Sequence, residues 1–93
     1  MRKTLHTSEH EALLSTLRTA REKAGLTQAQ LADRLGKPQS FVAKYENGER
    51  RIDVVEFVAL ARAMDTDPTR LFRAFLKRAN LSNLSSDSTQ PTL

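Results

Sequence analysis

The segment of residues 27–48 constrains the fold more than any other part of the chain. Its sequence is TQAQLADRLGKPQSFVAKYENG, in which two short stretches of helical periodicity flank a glycine, Gly36. Glycine readily accepts the positive φ with which many helices end, so the chain can turn sharply there. The pattern predicts two short helices joined by a tight turn, the second of them unusually polar.

Capping motifs divide the rest of the chain into further helices. A capping box pairs Ser, Thr or Asp at the N-cap with Glu or Gln three residues later, and three pairs fit this pattern: Ser8 with Glu11, Thr27 with Gln30, and Asp53 with Glu56. Pro38 suits a first helical turn, and Asp67 followed by Pro68 predicts one more helix start. These signals predict five helices near residues 8–23, 27–35, 38–46, 53–64 and 67–80, and an all-α fold.

The length and composition allow one small domain. The chain has 93 residues, of which 39% are hydrophobic, and it contains no cysteine. Disulfides and thiolate metal sites are therefore excluded, and no apolar run is long enough to cross a membrane. The first residues are basic but no apolar segment follows, so we expect no signal peptide and a cytoplasmic protein. We expect a flexible arm over residues 1–7, a folded domain over 8–80, and a disordered tail over 81–93 that is rich in Ser, Asn, Thr, Gln and Pro.

The third predicted helix has the residues that favour contact with DNA bases. Helical spacing turns Val42 and Tyr45 inward, which leaves an open face formed by Gln39, Ser40, Ala43 and Lys44. Gln pairs well with adenine, Lys reaches guanine, and Ser accepts either base. Phe41 is expected at the edge of this face, against a thymine methyl group. The alternative is a plain surface helix.

Residues flanking this helix favour contact with phosphates. Gln28 begins the second helix, where backbone N–H groups attract anions. Lys37 lies in the turn, and Arg50 and Arg51 follow the third helix. A net charge of +4 agrees with a polyanionic partner. We expect these four residues to position the domain on DNA without discriminating between sequences, although two arginines in a loop are also common without any such role.

The segment from about residue 15 to residue 72 resembles the Cro/repressor-type helix-turn-helix family, also called the xenobiotic-response-element (XRE) type. The resemblance rests on an ordered set of residues: Arg21, Gly25-Leu26-Thr27-Gln28, Leu31-Ala32, Gly36, Gln39-Ser40, Val42, Tyr45-Glu46-Asn47-Gly48, Arg51, Leu60-Ala61, Pro68 and Leu71-Phe72. It implies a compact five-helix, lambda-repressor-like domain that binds an operator as a dimer. It also implies base contacts from Gln39, Ser40 and Lys44, a phosphate contact from Gln28, and a structural ion pair between Arg21 and Glu46. Pro38 departs from the family pattern, because many relatives have a Ser or Thr cap there.

The fifth predicted helix has more apolar side chains than a core this small requires. We expect Phe75, Leu76 and Ala79 to contribute to a dimer interface; the alternative is that they only close the core. Elsewhere, His6, Glu9 and His10 match the H-x-x-E-H pattern of some zinc enzymes. His6 precedes the expected cap at Ser8, so we interpret both histidines as surface residues and expect neither a metal nor another cofactor.

The sequence therefore predicts a sequence-specific DNA-binding transcriptional regulator and no enzyme. The simplest form is a homodimeric repressor that binds a palindromic operator in double-stranded DNA and is nucleoid-associated when bound. Two alternatives remain open. One is an antitoxin that binds both its operator and a toxin, and the other is a helix-turn-helix module used only for protein contact.

Overall fold

The computed structural model describes residues 7–80, and every regular element within that range is an α-helix. The five helices are α1 (Ser8–Lys23), α2 (Gln28–Leu35), α3 (Gln39–Glu46), α4 (Val54–Ala63) and α5 (Pro68–Arg78). The predicted all-α class and the number of helices are confirmed. The remainder of the expected N-terminal arm, including His6, and the expected tail at 81–93 lie outside the described residues.

Two of the predicted capping boxes are present with both of their hydrogen bonds. Thr27 accepts a bond from the Gln30 backbone N–H at 3.0 Å, and the Gln30 side chain accepts one from the Thr27 N–H at 2.9 Å. Asp53 and Glu56 make the same reciprocal pair at the start of α4, at 2.7 and 3.0 Å. Each box satisfies two backbone groups that a helix start leaves without partners, so these local sequence signals fix where α2 and α4 begin.

The predicted start of α1 at a Ser8 cap is wrong by one residue. Thr7 is the N-cap, and its hydroxyl accepts a hydrogen bond from the His10 N–H at 3.1 Å. Thr and Ser are both good caps, so two adjacent candidates compete for this role and the Ser8–Glu11 spacing did not decide between them. Thr7 therefore fixes the start of α1 at Ser8.

A single core joins all five helices. Its largest fully buried side chains are Leu17 of α1, Leu31 of α2, Val42 and Tyr45 of α3, and Leu60 of α4. Leu71 adds a buried contribution from α5. Helix α3 packs against α1 and α2, whereas α5 packs against α1 and α4. Helix α1 thus contacts both α3 and α5, and the inward positions predicted for Val42 and Tyr45 are confirmed.

Helix α5 is shorter and more exposed than predicted. It ends at Arg78 rather than Asn80, with Ala79 as the C-cap and Asn80 in the left-handed region at φ 66°. Only Leu71 of this helix is buried, and the Phe72 ring remains 48% exposed. No helix in the described part of the chain is long and apolar enough to span a membrane.

Candidate nucleic-acid interface

The turn between α2 and α3 brings both helices to one surface. Gly36 adopts φ 70° and ψ 30°, and its N–H donates to the Asp33 carbonyl at 3.1 Å. A side chain would be strained in this left-handed conformation, so glycine is what permits the sharp reversal. Pro38 is the N-cap of α3, one position before the first turn in which we expected it, and it supplies no side-chain cap.

The open face predicted for α3 exists for three of its residues. Gln39, Ser40 and Lys44 are exposed, while Val42 and Tyr45 are buried against the core. Burial raises the pKa of the Tyr45 hydroxyl above its ordinary value, so this side chain stays neutral inside the core. The helix is therefore anchored to the core on one side. Its other side presents Gln39, Ser40 and Lys44, which are side chains of types that can contact base edges.

The position predicted for Phe41 at the edge of that face is wrong, because Phe41 is buried, and its contact with a thymine methyl stays a prediction. Its ring is 8% exposed and meets the Tyr45 ring edge to face at a centroid distance of 5.6 Å. The Lys37 ammonium and the Arg50 guanidinium cover it, at 5.2 and 4.7 Å from the ring centroid. Phe41 and Tyr45 are four residues apart and share one side of the helix, a spacing that could have placed Phe41 in the core.

The predicted ion pair between Arg21 and Glu46 is present and ties α1 to the end of α3. Arg21 donates from Nε and Nη2 to the two carboxylate oxygens of Glu46 at 2.8 and 3.0 Å, and from Nη1 to the Leu26 carbonyl at 2.9 Å. Hydrogen bonding to Glu46 raises the pKa of Arg21 despite its burial. The Glu46 side chain is only 1% exposed. A bidentate geometry of this kind orients the carboxylate as well as neutralising it.

A second set of hydrogen bonds extends from Glu46 to the open face. Gln28 donates from Nε2 to Glu46 at 2.9 Å, and its Oε1 accepts from Gln39 Nε2 at 2.9 Å. The chain Arg21–Glu46–Gln28–Gln39 thus runs from a buried ion pair to an exposed amide. We expected Gln28 to meet a phosphate and Gln39 a base, but not that they would bond to each other. No local pattern links two glutamines eleven residues apart; only the packing of α2 on α3 does so.

Arg50 orders the loop between α3 and α4 through a pair that the sequence analysis missed. Its guanidinium donates to both oxygens of Glu56 at 3.0 and 2.9 Å, and to the Arg51 carbonyl at 2.9 Å. The hydrogen bonds from Arg50, followed by the one from the Asp53 N–H, hold the pKa of Glu56 below its ordinary value. The same pairing with Glu56 raises the pKa of Arg50. Arg50 therefore has a structural role, packed between Glu56 and the Phe41 ring.

The remaining cations near α3 are exposed. Lys37 precedes the helix, Lys44 lies on it, and Arg51 follows it. Together with Gln39 and Ser40 they form a polar, positively charged surface, which we call the α3 face. Side chains of these types suit phosphate oxygens at the edges and base edges at the centre.

The H-x-x-E-H match has a different structural setting from the one expected. His10 is 6% exposed, so its interpretation as a surface residue is wrong, while His6 lies outside the described residues. Within residues 7–80, no group of three or more His, Asp or Glu side chains is arranged to hold a metal ion.

Comparison with known proteins agrees with this geometry. A family model described as helix-turn-helix matches residues 17–71. The structure of an XRE-family-like protein from Pseudomonas syringae pv. tomato is 51% identical, with 77% of this chain and 88% of that chain covered and a TM-score of 0.71. The restriction-modification controller protein C.AhdI from Aeromonas hydrophila is 35% identical, with 64% and 91% covered and a TM-score of 0.59.

A more distant similarity concerns the fold alone. The clp gene regulator ClgR from Corynebacterium glutamicum superposes with a TM-score of 0.70 over 91% of this chain and 89% of that chain, at 18% identity. No significant match to the chain exists among curated proteins. The region matched by the family model begins within α1 and ends within α5, so it contains the complete α3 face.

Proposed function

The chain belongs to the XRE-type helix-turn-helix family and is a DNA-binding transcriptional regulator, and we propose that it acts as a homodimeric repressor of a palindromic operator. The observation that carries this proposal is the α3 face: three exposed side chains able to contact bases, on a helix anchored by a buried ion pair. C.AhdI is a controller protein by name, which supports a regulatory role for a chain of this size. Repression by covering a promoter needs no further domain, cofactor or catalytic step.

On this proposal, α3 enters the major groove with Gln39, Ser40 and Lys44 toward the base edges. Lys37 and Arg51 flank the helix and would bind phosphates, which fixes the register on the duplex. Gln28 would bind a phosphate while its amide orients Gln39. A phosphate contact from Arg50 remains a prediction, and it would be made by a guanidinium that already holds Glu56. Such a regulator acts in the cytoplasm, on the nucleoid.

The dimer proposal is supported by an apolar surface on α4 and α5. Val54 and Val55 are each 77% exposed at the start of α4, and Phe72 is the most exposed large apolar side chain of α5. The Phe72 ring contacts Phe57 at 5.9 Å and Phe75 at 5.6 Å between centroids, so the aromatic rings form a row across the two helices. Apolar patches of this kind on small proteins often mark interfaces.

This surface extends the interface expected from the sequence. Phe75, Leu76 and Ala79 are half-buried, which is compatible with either a dimer contact or closure of the core. Phe72 and Val54 are more exposed, so each would bury more apolar surface against a second copy. We therefore place the centre of the dimer interface at Phe72, with Phe75 and Leu76 beside it. Two copies joined there would present two α3 faces to half-sites about one helical turn, roughly 10 base pairs, apart.

Sedimentation of the purified full chain tests the dimer, and DNA titration tests the repressor. We expect a dimer for the unmodified protein and a folded monomer for Phe72→Glu, which also loses affinity for a two-half-site duplex. Lys77→Glu is the control, because it places a glutamate on an exposed position of the same helix that is five residues from Phe72 and therefore lies on another side of α5. A monomeric unmodified protein would refute the dimer, and a dimer that survives Phe72→Glu would refute this interface.

A further inference from the structure

An open groove runs along the packed helices α1 and α5, on the part of the molecule that does not form the helix-turn-helix. Its volume is about 530 Å³, and no residue of α2 or α3 lines it. Apolar side chains from three segments contribute to its walls: Ala20 of α1, Met64 at the end of α4, and Leu71 and Ala74 of α5. Sites that bind small molecules in proteins commonly have volumes of roughly 300–1,000 Å³ and mainly apolar walls.

Cationic side chains also line this groove, and they carry donors that the protein does not use. Lys23, Arg70 and Arg78 all contribute to its walls. Arg78 donates to the hydroxyls of Ser15 and Thr19, which are neutral partners. Within residues 7–80, Lys23 and Arg70 are in no ion pair with a carboxylate.

The two carboxylates that line the same groove are already engaged. Asp65 pairs with Arg34 of α2 at 3.4 Å. Asp67 is the N-cap of α5 and accepts a hydrogen bond from the Thr69 N–H at 3.0 Å. The groove is thus lined by three cations against two carboxylates, one of which is paired with Arg34, and it has an excess of positive charge beside an apolar surface.

We propose that this groove binds a small organic anion, a carboxylate or phosphate monoester with a compact apolar body. The anionic group would be held by Arg70 and Lys23, with Arg78 and the Thr19 hydroxyl as further donors, because guanidinium and ammonium groups form their strongest hydrogen bonds with such oxygens. The apolar body would lie against Ala20, Leu71 and Ala74. Charge complementarity thus specifies the class of ligand.

Occupation of the groove has a consequence for regulation. Leu71 and Ala74 line the groove, while Phe72 and Phe75 of the same helix form the proposed dimer surface. An anion that fixes α5 against α1 changes how α5 is presented to a second copy, so it changes dimer stability. This effect on dimer stability rests on the proposed function, whereas binding of the anion does not.

Titration of the isotope-labelled full chain with phenyl phosphate, followed by amide chemical shifts, tests the site directly. We expect saturable shifts around Thr19, Lys23 and Arg70, with a Kd of about 1 mM or tighter. Phenol, which lacks the anion, and inorganic phosphate, which lacks the apolar body, should both bind more weakly by about tenfold or more.

Two variants distinguish a built site from general attraction to positive charge. Arg70→Gln and Lys23→Gln should each weaken phenyl phosphate by about tenfold without lowering the melting temperature, because neither residue takes part in an ion pair of the described fold. Arg73→Gln removes the same charge from the same helix outside the groove, and it should leave binding unchanged.

Three results would overturn the proposal. One is the absence of saturable shifts; another is a set of shifts concentrated on the α3 face. The third is an equal loss of affinity in Arg73→Gln. None of these outcomes depends on DNA binding or dimerisation, so the failure of anion binding would not contradict the proposed repressor function.

Discussion

Replacing Arg21 with alanine should strongly destabilise the domain, because the buried Glu46 carboxylate would lose its charged partner. The Glu46 side chain is 1% exposed and accepts three hydrogen bonds, two from Arg21 and one from Gln28. Arg21→Ala removes both charged donors and also the bond to the Leu26 carbonyl. The carboxylate then remains buried with one neutral donor.

The expected loss in unfolding free energy follows from the burial of this pair and from its hydrogen bonds. Removing one partner of a buried ion pair costs about 3–5 kcal/mol. We expect the lower end, about 3 kcal/mol, because Gln28 still donates to Glu46 and no buried carboxylate is left wholly unsatisfied. For a domain of this size, that corresponds to a fall in melting temperature of roughly 12–24 °C. Thermal unfolding followed by circular dichroism, together with urea unfolding, measures both quantities.

A matched control uses the other arginine near the same carboxylate. Arg18 is 59% exposed, and its Nε lies 3.8 Å from Glu46 and 3.9 Å from Glu22. Because exposed ion pairs contribute little to folding stability, Arg18→Ala should lower the unfolding free energy by less than about 1 kcal/mol. The double variant Arg21→Met with Glu46→Met should recover much of the lost stability, since it removes both charges together. An unchanged melting temperature for Arg21→Ala, or an equal loss in Arg18→Ala, would refute the reasoning.

Three further predictions test other parts of the structure. Phe41→Ala should cost about 3–5 kcal/mol in unfolding free energy, because the ring is a core residue; unchanged stability with altered thymine preference would return Phe41 to the DNA-contacting face. Gln39→Ala or Lys44→Ala should cost about 1–3 kcal/mol of DNA-binding free energy and relax preference at one base position, and an equal loss on all sequences would contradict direct base contact. For Glu56, the lowered pKa means that its ionised form stabilises the fold above the ordinary pKa of 4.5 and that this contribution disappears as pH falls through the lowered value. The difference in melting temperature between the unmodified protein and Glu56→Gln should therefore be largest near neutral pH and shrink in acid, whereas a difference independent of pH would argue against the Arg50–Glu56 pair as its source.

Local chemistry made much of the fold predictable from the sequence. The capping boxes at Thr27 and Asp53 and the left-handed glycine at position 36 each act within four residues, so their pattern alone specifies where helices begin or end. The α1 start shows the limit of such signals. Thr7 and Ser8 are both competent caps, and the structure has Thr7 in that role, with its hydroxyl accepting from the N–H of the buried His10.

Contacts between helices account for what the sequence analysis missed. The bond between Gln28 and Gln39 and the pair between Arg50 and Glu56 join residues with no shared local motif, and they form only because of how the helices pack. Phe41 was misplaced because an aromatic side chain beside a polar face suits either a base or the core. In the structure, Phe41 contacts the ring of Tyr45 four residues later and is covered by two cations, so it is a core residue.

Selection of binding sites from a random pool of duplex DNA, with the purified full chain at near-physiological salt, tests the central claim most directly. The account predicts an enriched two-fold symmetric motif whose half-site centres lie roughly 10 base pairs apart. It also predicts that Gln39→Ala changes the preferred base at symmetric positions while Lys77→Glu does not. Failure to enrich any sequence, or enrichment of a motif that Gln39→Ala and Lys44→Ala both leave unchanged, would contradict the assignment of the α3 face as the surface that recognises DNA.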